Sequence, residues 1–209
     1  MDDRLVVSLL RHGLTLENER KAYIGWLDSP LSEAGKQQLK TMDLSSLQAE
    51  LIFSSPLSRC LETASILFPN APIFSISELK EMHFGAWEGK TYEELKHNER
   101  YCKWLTDIFH EPIEEGESFE QFGKRICTGL QKVSEQIVDQ RVNRIAIVTH
   151  GGVIRYILHR LFPEDQSFFD WQIPFGGGYE LVWNKEVLKE RNEQCTLLAA
   201  EPIMVKRIG

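Results

Sequence analysis

Two histidines and two arginines follow apolar runs of the sequence, close to the points where those runs end. Arg11 and His12 come directly after LVVSLL, Arg59 lies a few residues beyond LIFS, and His150 follows RIAIVT. An arginine presents a rigid fork of donors that matches phosphate or carboxylate oxygens. A histidine among arginines tends toward its neutral, nucleophilic form, because nearby cations disfavour the imidazolium. These residue types predict a site that binds a phosphoryl group and attacks it.

The residues after His150 strengthen the phosphate interpretation. Gly151 and Gly152 open a predicted helix, where backbone N–H groups can approach an anion. No acidic cluster near these strand ends offers Mg²⁺ ligands, and the sequence has no GxxxxGK[ST] loop for a nucleotide. We therefore predict that protein side chains neutralise the phosphate, and we expect no cofactor and no metal.

Strands and helices alternate along the chain, which is typical of a parallel sheet. Three short, apolar and β-branched runs read as buried strands, namely Leu5–Leu10, Leu51–Ser54 and Arg144–Thr149. A weaker strand candidate is Ile73–Ile76, and two later candidates are Tyr179–Trp183 and Thr196–Ala200. Because ligands bind outside the carboxyl ends of such strands, the arginines and histidines should converge at one edge.

Helix signals lie between these strands. Ser55 followed by Pro56 reads as an N-cap with a first-turn proline, opening a helix that runs to about Leu67. The segments TYEEL and SFEQF have the pattern of capping boxes. The second box begins a long amphipathic helix, whose apolar face is predicted to contain Phe119, Phe122, Ile126, Leu130, Val133 and Ile137. The fold class is therefore α/β, with three α/β/α layers, a mostly parallel central sheet and a small helical cap.

The 209 residues fit a single domain, residues 1–209, with about 77–117 as a cap or lid insertion. The net charge of -7 argues against non-specific nucleic-acid binding. Four widely spaced cysteines predict reduced, buried thiols, and the first apolar run is too short for a signal peptide or a membrane span. We expect a cytoplasmic protein whose partner is a small phosphorylated metabolite, with no nucleic acid and no membrane. A homodimer is an open alternative to a monomer.

Five sequence blocks resemble the histidine phosphatase superfamily, also called phosphoglycerate mutase-like. LLRHGLTLEN is similar to the RHG[ET]xxN signature of that family, with Leu14 where a glutamate is common. The resemblance continues through GWLDSPLSEAGKQQ, FSSPLSRCLETA, LKEMHFGAWEG and VTHGGVIR, in the family's order, over most of residues 5–158. It implies a phosphoglycerate mutase-like fold and phosphoryl transfer through a phosphohistidine.

The same resemblance implies roles for single residues. His12 would be the nucleophile that becomes phosphorylated, and Glu81 in LKEMHFG would protonate the leaving group and later activate water. The side chains implied to bind the phosphoryl group are those of Arg11, Asn18, Arg59 and His150. Considered without the resemblance, Glu78 and Glu88 are close enough in sequence to be alternatives for the acid.

Within the family, the blocks ELKEMHFGAWEG, YCKWLTDIFHEPIEEGESFEQFGKRI and FFDWQIPFGGGYELVW look most like the α-ribazole phosphatase branch. Enzymes of that branch remove the 5′-phosphate of α-ribazole phosphate in cobalamin nucleotide-loop assembly. The cap contributes several aromatic residues that would either stack a planar base or form core: Phe84, Trp87, Tyr101, Trp104 and Phe109.

Other functions remain as alternatives. A broad-specificity phosphatase of small metabolites shares much of the same pattern. A phosphoglycerate mutase is disfavoured, because residues 89–117 lack the arginine pair with which mutases of the family hold a carboxylate. A non-catalytic phosphate-binding protein is disfavoured as well, since His12 and Glu81 are both present.

Overall fold

The computed structural model describes residues 4–42, 47–137, 142–163, 165, 167–184 and 204–208. Its strands are β1 (Arg4–Arg11), β2 (Leu51–Ser54), β3 (Ile73–Ser75), β4 (Arg144–Thr149), β5 (Gly178–Asn184) and β6 (Met204–Ile208). They form one sheet in the order β3-β2-β4-β1-β5-β6. The first four pair in parallel, and β5 and β6 are antiparallel additions at one edge. The predicted, mostly parallel sheet is confirmed.

The helices between the strands are α1 (Leu16–Glu19), α2 (Glu33–Lys40), α3 (Ser58–Leu67), α4 (Tyr92–Leu95), α5 (Glu99–Thr106), α6 (Phe119–Ile137) and α7 (Gly151–Leu161). Short 3-10 turns occupy Ser77–Leu79 and Gly85–Trp87. The capping boxes predicted before α4 and α6 are both formed. None of the helices described is long and apolar enough to cross a membrane.

Alternating residues of the central strands build two cores. Leu5, Val7 and Leu9 of β1 pack on one face together with α6 and α7. Leu10 faces the other way, toward α2 and α3, in a second cluster. Alternation with a period of two along each strand is what divides the apolar side chains between the faces. The chain therefore has the predicted three α/β/α layers.

One predicted element begins elsewhere, and another cannot be compared with the structure. Helix α3 begins at Ser58 with Leu57 as its N-cap, and Ser55 does not cap it. The Ser55 hydroxyl lies 2.9 Å from His150 Nε2 and accepts from the N–H of Leu57, before the helix, at 3.5 Å. The late strand predicted at Thr196–Ala200 falls outside the described residues. The strand that pairs with β5 is Met204–Ile208.

The cap aromatics are mainly core. Trp87, Tyr101 and Trp104 are 1%, 0% and 7% exposed and belong to the same cluster as β1. Their rings contact one another with centroids 5.3–6.1 Å apart. These three side chains are thus unavailable to stack a substrate base, and of the two interpretations the core one is correct. Phe109 is exposed, at 41%, and Phe84 is partly buried.

The cysteines differ from the prediction of four reduced, buried thiols. Cys60 is free and buried, but Cys102 is free and exposed. Cys127 is disulfide-bonded. Cys195 lies outside the described residues.

Candidate active site

The two histidines meet because they follow neighbouring parallel strands in register. Arg11 at the end of β1 is the pairing partner of Thr149 at the end of β4, so His12 and His150 leave the sheet side by side. Their ring centroids are 5.2 Å apart, and the two residues are 3% and 0% exposed. The convergence predicted from the strand ends is present in the structure.

A single carbonyl sets the tautomer of His12. The Nδ1 atom lies 2.7 Å from the carbonyl oxygen of Gly13, and a carbonyl can only accept, so Nδ1 carries the proton. In a neutral ring the lone pair is then on Nε2. Burial, with added repulsion from Arg59 and Arg11, holds the pKa of His12 well below 6.5. His12 is therefore a neutral imidazole with a nucleophilic Nε2 near neutral pH.

Arg59 projects from α3 into the site and is completely buried. Its two terminal nitrogens donate to the carbonyl oxygens of Leu27 and Gly25, at 2.9 and 2.7 Å. Burial lowers the pKa of Arg59. Thr63 ties this helix to the first strand end, since its hydroxyl accepts from the Gly13 N–H at 2.9 Å and donates to the Arg59 carbonyl at 2.6 Å.

Arg11 is held from the segment that precedes β5. It donates through Nη1 to the carbonyl oxygen of Ile173 at 2.8 Å, and its guanidinium lies 3.8 Å from the ring centroid of Phe175. Burial lowers the pKa of Arg11 to about 10, so it stays cationic at neutral pH. Within the described part of the chain, Nε of Arg11 and Nε of Arg59 are buried without a hydrogen-bond partner. Buried donors normally have partners, so these two nitrogens are free to donate to a bound anion.

His150 forms the N-cap of α7 and lies against two side chains that the sequence analysis did not assign to the site. Its Nε2 is 2.9 Å from the hydroxyl of Ser55 and 3.5 Å from the Cys60 sulfur. Burial, followed by the charge of Arg59, lowers the pKa of His150 well below 6.5. Burial also raises the pKa of the Cys60 thiol to about 12, so Cys60 is an unreactive thiol. In the sequence, Ser55 looked like a helix cap, which concealed its contact with His150.

Glu81 reaches the same edge from an irregular segment. Its Oε2 accepts from the Gly152 N–H at 2.9 Å in the first turn of α7, and its Oε1 accepts from Met82 N–H at 3.0 Å. A Cβ atom on residue 152 would lie 2.3 Å from Oε1 of Glu81, whereas one on Gly151 would lie 3.4 Å from Arg11. The second glycine thus makes room for the carboxylate, and the first adjoins the arginine.

The other two candidate acids are committed elsewhere. The carboxylate of Glu88 accepts four backbone N–H groups, from Gly25, Trp26, Leu27 and Phe84, at 2.7–3.0 Å. Glu78 forms an ion pair with Lys132 at 2.5 Å. Glu88 shapes the loop that supplies carbonyls to Arg59, and Glu78 faces α6. Glu81 alone among these three carboxylates contacts α7 beside His150.

Asn18 has a local role in the structure. Its Oδ1 accepts from the backbone N–H and the hydroxyl of Thr15, at 3.3 and 3.0 Å, as part of the capping box of α1. The side-chain amide nitrogen is what remains to donate to a ligand. The predicted position of Asn18 in the pocket therefore stays a prediction.

Trp26, which the sequence analysis did not single out, lies against the backbone of Glu81. Its indole N–H donates to the carbonyl oxygen of Glu81 at 3.0 Å, and the side chain is 39% exposed. The ring stacks obliquely on His83 at 4.7 Å, and the Lys80 ammonium lies 4.3 Å from its centroid. Within the described ranges, no group of three His, Cys, Asp or Glu residues has the arrangement of a metal site.

Comparisons with known proteins identify the family of this chain. The model of the histidine phosphatase superfamily (branch 1) matches residues 7–191. An adenosylcobalamin/α-ribazole phosphatase of Escherichia coli is 31% identical over 73% of this chain and 77% of its own length. Phosphoserine phosphatase 1 of Hydrogenobacter thermophilus is 30% identical over 90% of this chain and 92% of its own. The crystal structure of the α-ribazole phosphatase from Shigella flexneri superposes with a TM-score of 0.74 at 29% identity, covering 86% of this chain and 90% of that one.

Proposed function

This chain belongs to the histidine phosphatase superfamily, branch 1, and on that premise we propose that it hydrolyses phosphate monoesters through a phosphohistidine at His12. The observation that carries the proposal is the state of His12. Its Nε2 bears a lone pair, because Nδ1 donates to the Gly13 carbonyl and because burial, together with the charges of Arg59 and Arg11, lowers the pKa of the ring and keeps it neutral. The phosphatase names among its relatives support the same class of reaction.

The first chemical step transfers the phosphoryl group to the protein. Nε2 of His12 attacks phosphorus, the P–N bond forms, and the P–O bond to the leaving group breaks. Arg11 and Arg59 neutralise the phosphoryl oxygens, which is the electrostatic stabilisation that this transfer needs. His150 and the backbone N–H of Gly151 complete the set of donors at the start of α7.

Glu81 handles the protons of both steps. Its carboxyl gives a proton to the departing alkoxide, which leaves as an alcohol. A water molecule then loses a proton to the Glu81 carboxylate and attacks the phosphohistidine, so that the P–N bond breaks and inorganic phosphate is released. The charge on the phosphate is balanced throughout by arginine side chains, so the reaction requires no metal ion.

We place α-ribazole 5′-phosphate first among substrates. The relatives named for that activity support this choice. So does Trp26, an exposed and hydrogen-bonded indole beside Glu81, where a planar base on the leaving group would stack. Phosphoserine is the second candidate, because a phosphoserine phosphatase matches a larger share of the chain.

The test is phosphate release in the presence of EDTA from five substrates, compared by kcat/KM. The panel contains α-ribazole 5′-phosphate, phosphoserine, 3-phosphoglycerate, a nucleoside monophosphate and an aryl phosphate. We expect activity to survive EDTA and to be highest with α-ribazole 5′-phosphate. A Trp26→Ala variant should reduce kcat/KM for α-ribazole 5′-phosphate more than for phosphoserine, because only the former has a base to stack.

Four results would revise the proposal. A clear preference for phosphoserine would replace the first substrate with the second, and a flat profile would indicate a broad-specificity phosphatase. Loss of activity in EDTA, restored by a divalent cation, would contradict the metal-independent mechanism. No turnover of any substrate would favour a phosphate-binding protein.

A further inference from the structure

We propose that Arg125 of α6 is a positioning residue for Glu81, acting with Glu117 as a clamp on the segment that carries the acid. This inference rests on the proposed function, since it concerns how the proton donor is held. The Arg125 and Glu117 side chains are 15% and 14% exposed, and they pair through both guanidinium edge nitrogens at 2.6 and 2.7 Å. A bidentate pair of this kind fixes the orientation of the arginine as well as its charge.

The remaining donors of Arg125 bind the backbone of the acid-bearing segment. Nη1 donates to the carbonyl oxygens of Glu78 and Lys80, at 2.7 and 2.9 Å. Nη2 donates to the carbonyl oxygen of Glu81 itself, at 3.0 Å. One side chain from a long helix thus holds three of four consecutive carbonyl groups.

The carbonyl of Leu79 and the backbone that follows Glu81 are also hydrogen-bonded to side chains. The hydroxyl of Thr149 donates to the Leu79 carbonyl at 2.7 Å, and Oε2 of Glu117 accepts from the His83 N–H at 3.0 Å. Every carbonyl from 78 to 81 therefore accepts from a side chain, and the amide of residue 83 returns to Glu117. The backbone is pinned on both sides of the acid, so the Glu81 side chain starts from a fixed point.

This clamp matters because regular structure ends before the acid. The element directly before Glu81 is a 3-10 turn, Ser77–Leu79, and the next element begins at Gly85. Glu81 itself lies in neither. A general acid must lie within hydrogen-bond reach of the leaving oxygen, and a misplacement of about 1 Å can cost about 10²-fold in rate. Arg125 supplies, across the fold, the constraint that a strand or helix would supply locally.

The experiment compares Arg125→Met and Arg125→Lys with Glu81→Gln, by kcat/KM for an alkyl and an aryl phosphate. Because kcat/KM reports steps up to departure of the leaving group, it isolates the proton donation that only the alkyl substrate needs. We expect Arg125→Met to lower kcat/KM for the alkyl phosphate by about 10- to 100-fold, and for the aryl phosphate by less than about 3-fold. Arg125→Lys keeps the charge without the fork of donors and should lose an intermediate amount.

The matched control is Arg100→Met, which breaks another arginine–glutamate pair of the cap, that between Arg100 and Glu114. It should change neither substrate's kcat/KM. The decisive variant is Arg125→Met combined with Glu81→Gln, which should be no slower on the alkyl phosphate than Glu81→Gln alone, because the clamp acts only through the acid. Amide exchange at Gly152, which bonds the Glu81 carboxylate, should accelerate in Arg125→Met and not in Arg100→Met.

Equal losses on both substrates, or losses that multiply in the double variant, would overturn the role of Arg125. If Arg125→Met fails to fold, Arg125→Lys carries the same comparison. Failure of the proposed function has a different signature. In that case Glu81→Gln itself would show no dependence on the leaving group, or the unaltered protein would not turn over any phosphate monoester, and the inference about Arg125 would fall with it.

Discussion

The proposed phosphoryl pocket (Arg11, His12, Arg59 and His150) and the proposed acid segment (residues 78–83, with Glu81) lie at the same edge of the sheet. They are built in different ways. His12 and His150 follow adjacent strands in register, and Arg59 comes from the first turn of a helix. Glu81 lies in an irregular segment whose position depends on hydrogen bonds from Trp26, Arg125 and Thr149. The proposed nucleophile is placed by local regular structure, and the proposed proton donor is placed by contacts from distant parts of the chain.

This difference separates the expected effects of substitutions. Changes in the pocket should affect every substrate, because each one must bind and transfer its phosphoryl group. Changes to the acid segment should depend on how much the leaving group needs a proton. The dependence on the leaving group therefore distinguishes the two regions, and the following predictions use it in order of expected effect.

The largest effect is expected for His12→Ala. Removal of the nucleophile should abolish turnover of alkyl and aryl phosphates alike. The protein should remain folded, because Thr149 and Thr63 accept from the backbone N–H groups of residues 12 and 13. Steady-state assays and circular dichroism of the variant check both statements. Near-normal activity on either substrate would exclude a phosphohistidine at this position.

Glu81→Gln should follow, with a loss of roughly 10²–10⁴-fold in kcat/KM for an alkyl phosphate, the usual scale for a general acid. An aryl phosphate, whose leaving group needs no proton, should lose far less. Glutamine has nearly the same shape as glutamate, and its side-chain oxygen can still accept from the Gly152 N–H. Losses of equal size on the two substrates would assign the acid elsewhere.

The adjacent glycines of α7 allow a comparison of the two regions within one turn of helix. Gly152→Ala places a Cβ 2.3 Å from Oε1 of Glu81 and should displace the carboxylate, lowering kcat/KM for alkyl phosphates by about 10- to 100-fold. Gly151→Ala meets Arg11 at 3.4 Å and should cost less than about 3-fold, equally for both substrate types. Kinetics of the two variants on both substrates would reveal whether the regions are separable, and identical profiles would show that they are not.

The smallest effect concerns stability against pH. The pKa values of His12 and His150 lie well below 6.5 in the folded protein, mainly through burial, whereas the unfolded chain protonates both near 6.5. The unfolded state therefore binds more protons below that pH, and acid lowers the free energy of unfolding by up to about 1.4 kcal/mol per pH unit for each histidine. Stability should be full above pH 6.5 or so and decline below it.

Denaturant unfolding at a series of pH values between 5 and 7.5 or so measures this slope. The His12→Asn variant lacks one of the two groups, so its free energy of unfolding should fall less steeply with acid than that of the unaltered protein. Equal slopes would mean that His12 titrates alike in the folded and unfolded states.

The contrast between the regions also explains what the sequence could and could not predict. The strand β4, predicted at Arg144–Thr149, has those bounds in the structure, and its apolar pattern was enough to place His150 at the same edge of the sheet as His12. That the two are neighbours follows from the register of β1 and β4. A short parallel strand is buried on both faces, so it forms a continuous apolar run whose bounds can be predicted from the sequence. The pocket was therefore predictable from the residues that follow these strands.

The acid segment was not predictable in this way. Without the family resemblance, Glu78, Glu81 and Glu88 are equivalent by local pattern. In the structure, contacts over more than 40 residues distinguish them, such as that of Glu81 with Gly152. The clamp of Arg125 and Glu117 spans a similar separation. Ser55 was misinterpreted for the same reason, because a hydrogen bond across the fold overrode a local cap signal. The sequence left open whether the aromatic residues of 77–117 stack a base or form core, and burial decided this for Trp87, Tyr101 and Trp104.

The most direct test of the account is to look for a phosphorylated His12. Glu81→Gln is mixed with an aryl phosphate, whose first step needs no acid, and the reaction is quenched in alkali within the first turnover. The account predicts a burst of aryl alcohol and an acid-labile phosphoryl group on the peptide that contains His12. His12→Ala should show neither. A steady release without a burst or label, or a phosphoryl group on Ser55 or His150, would contradict it.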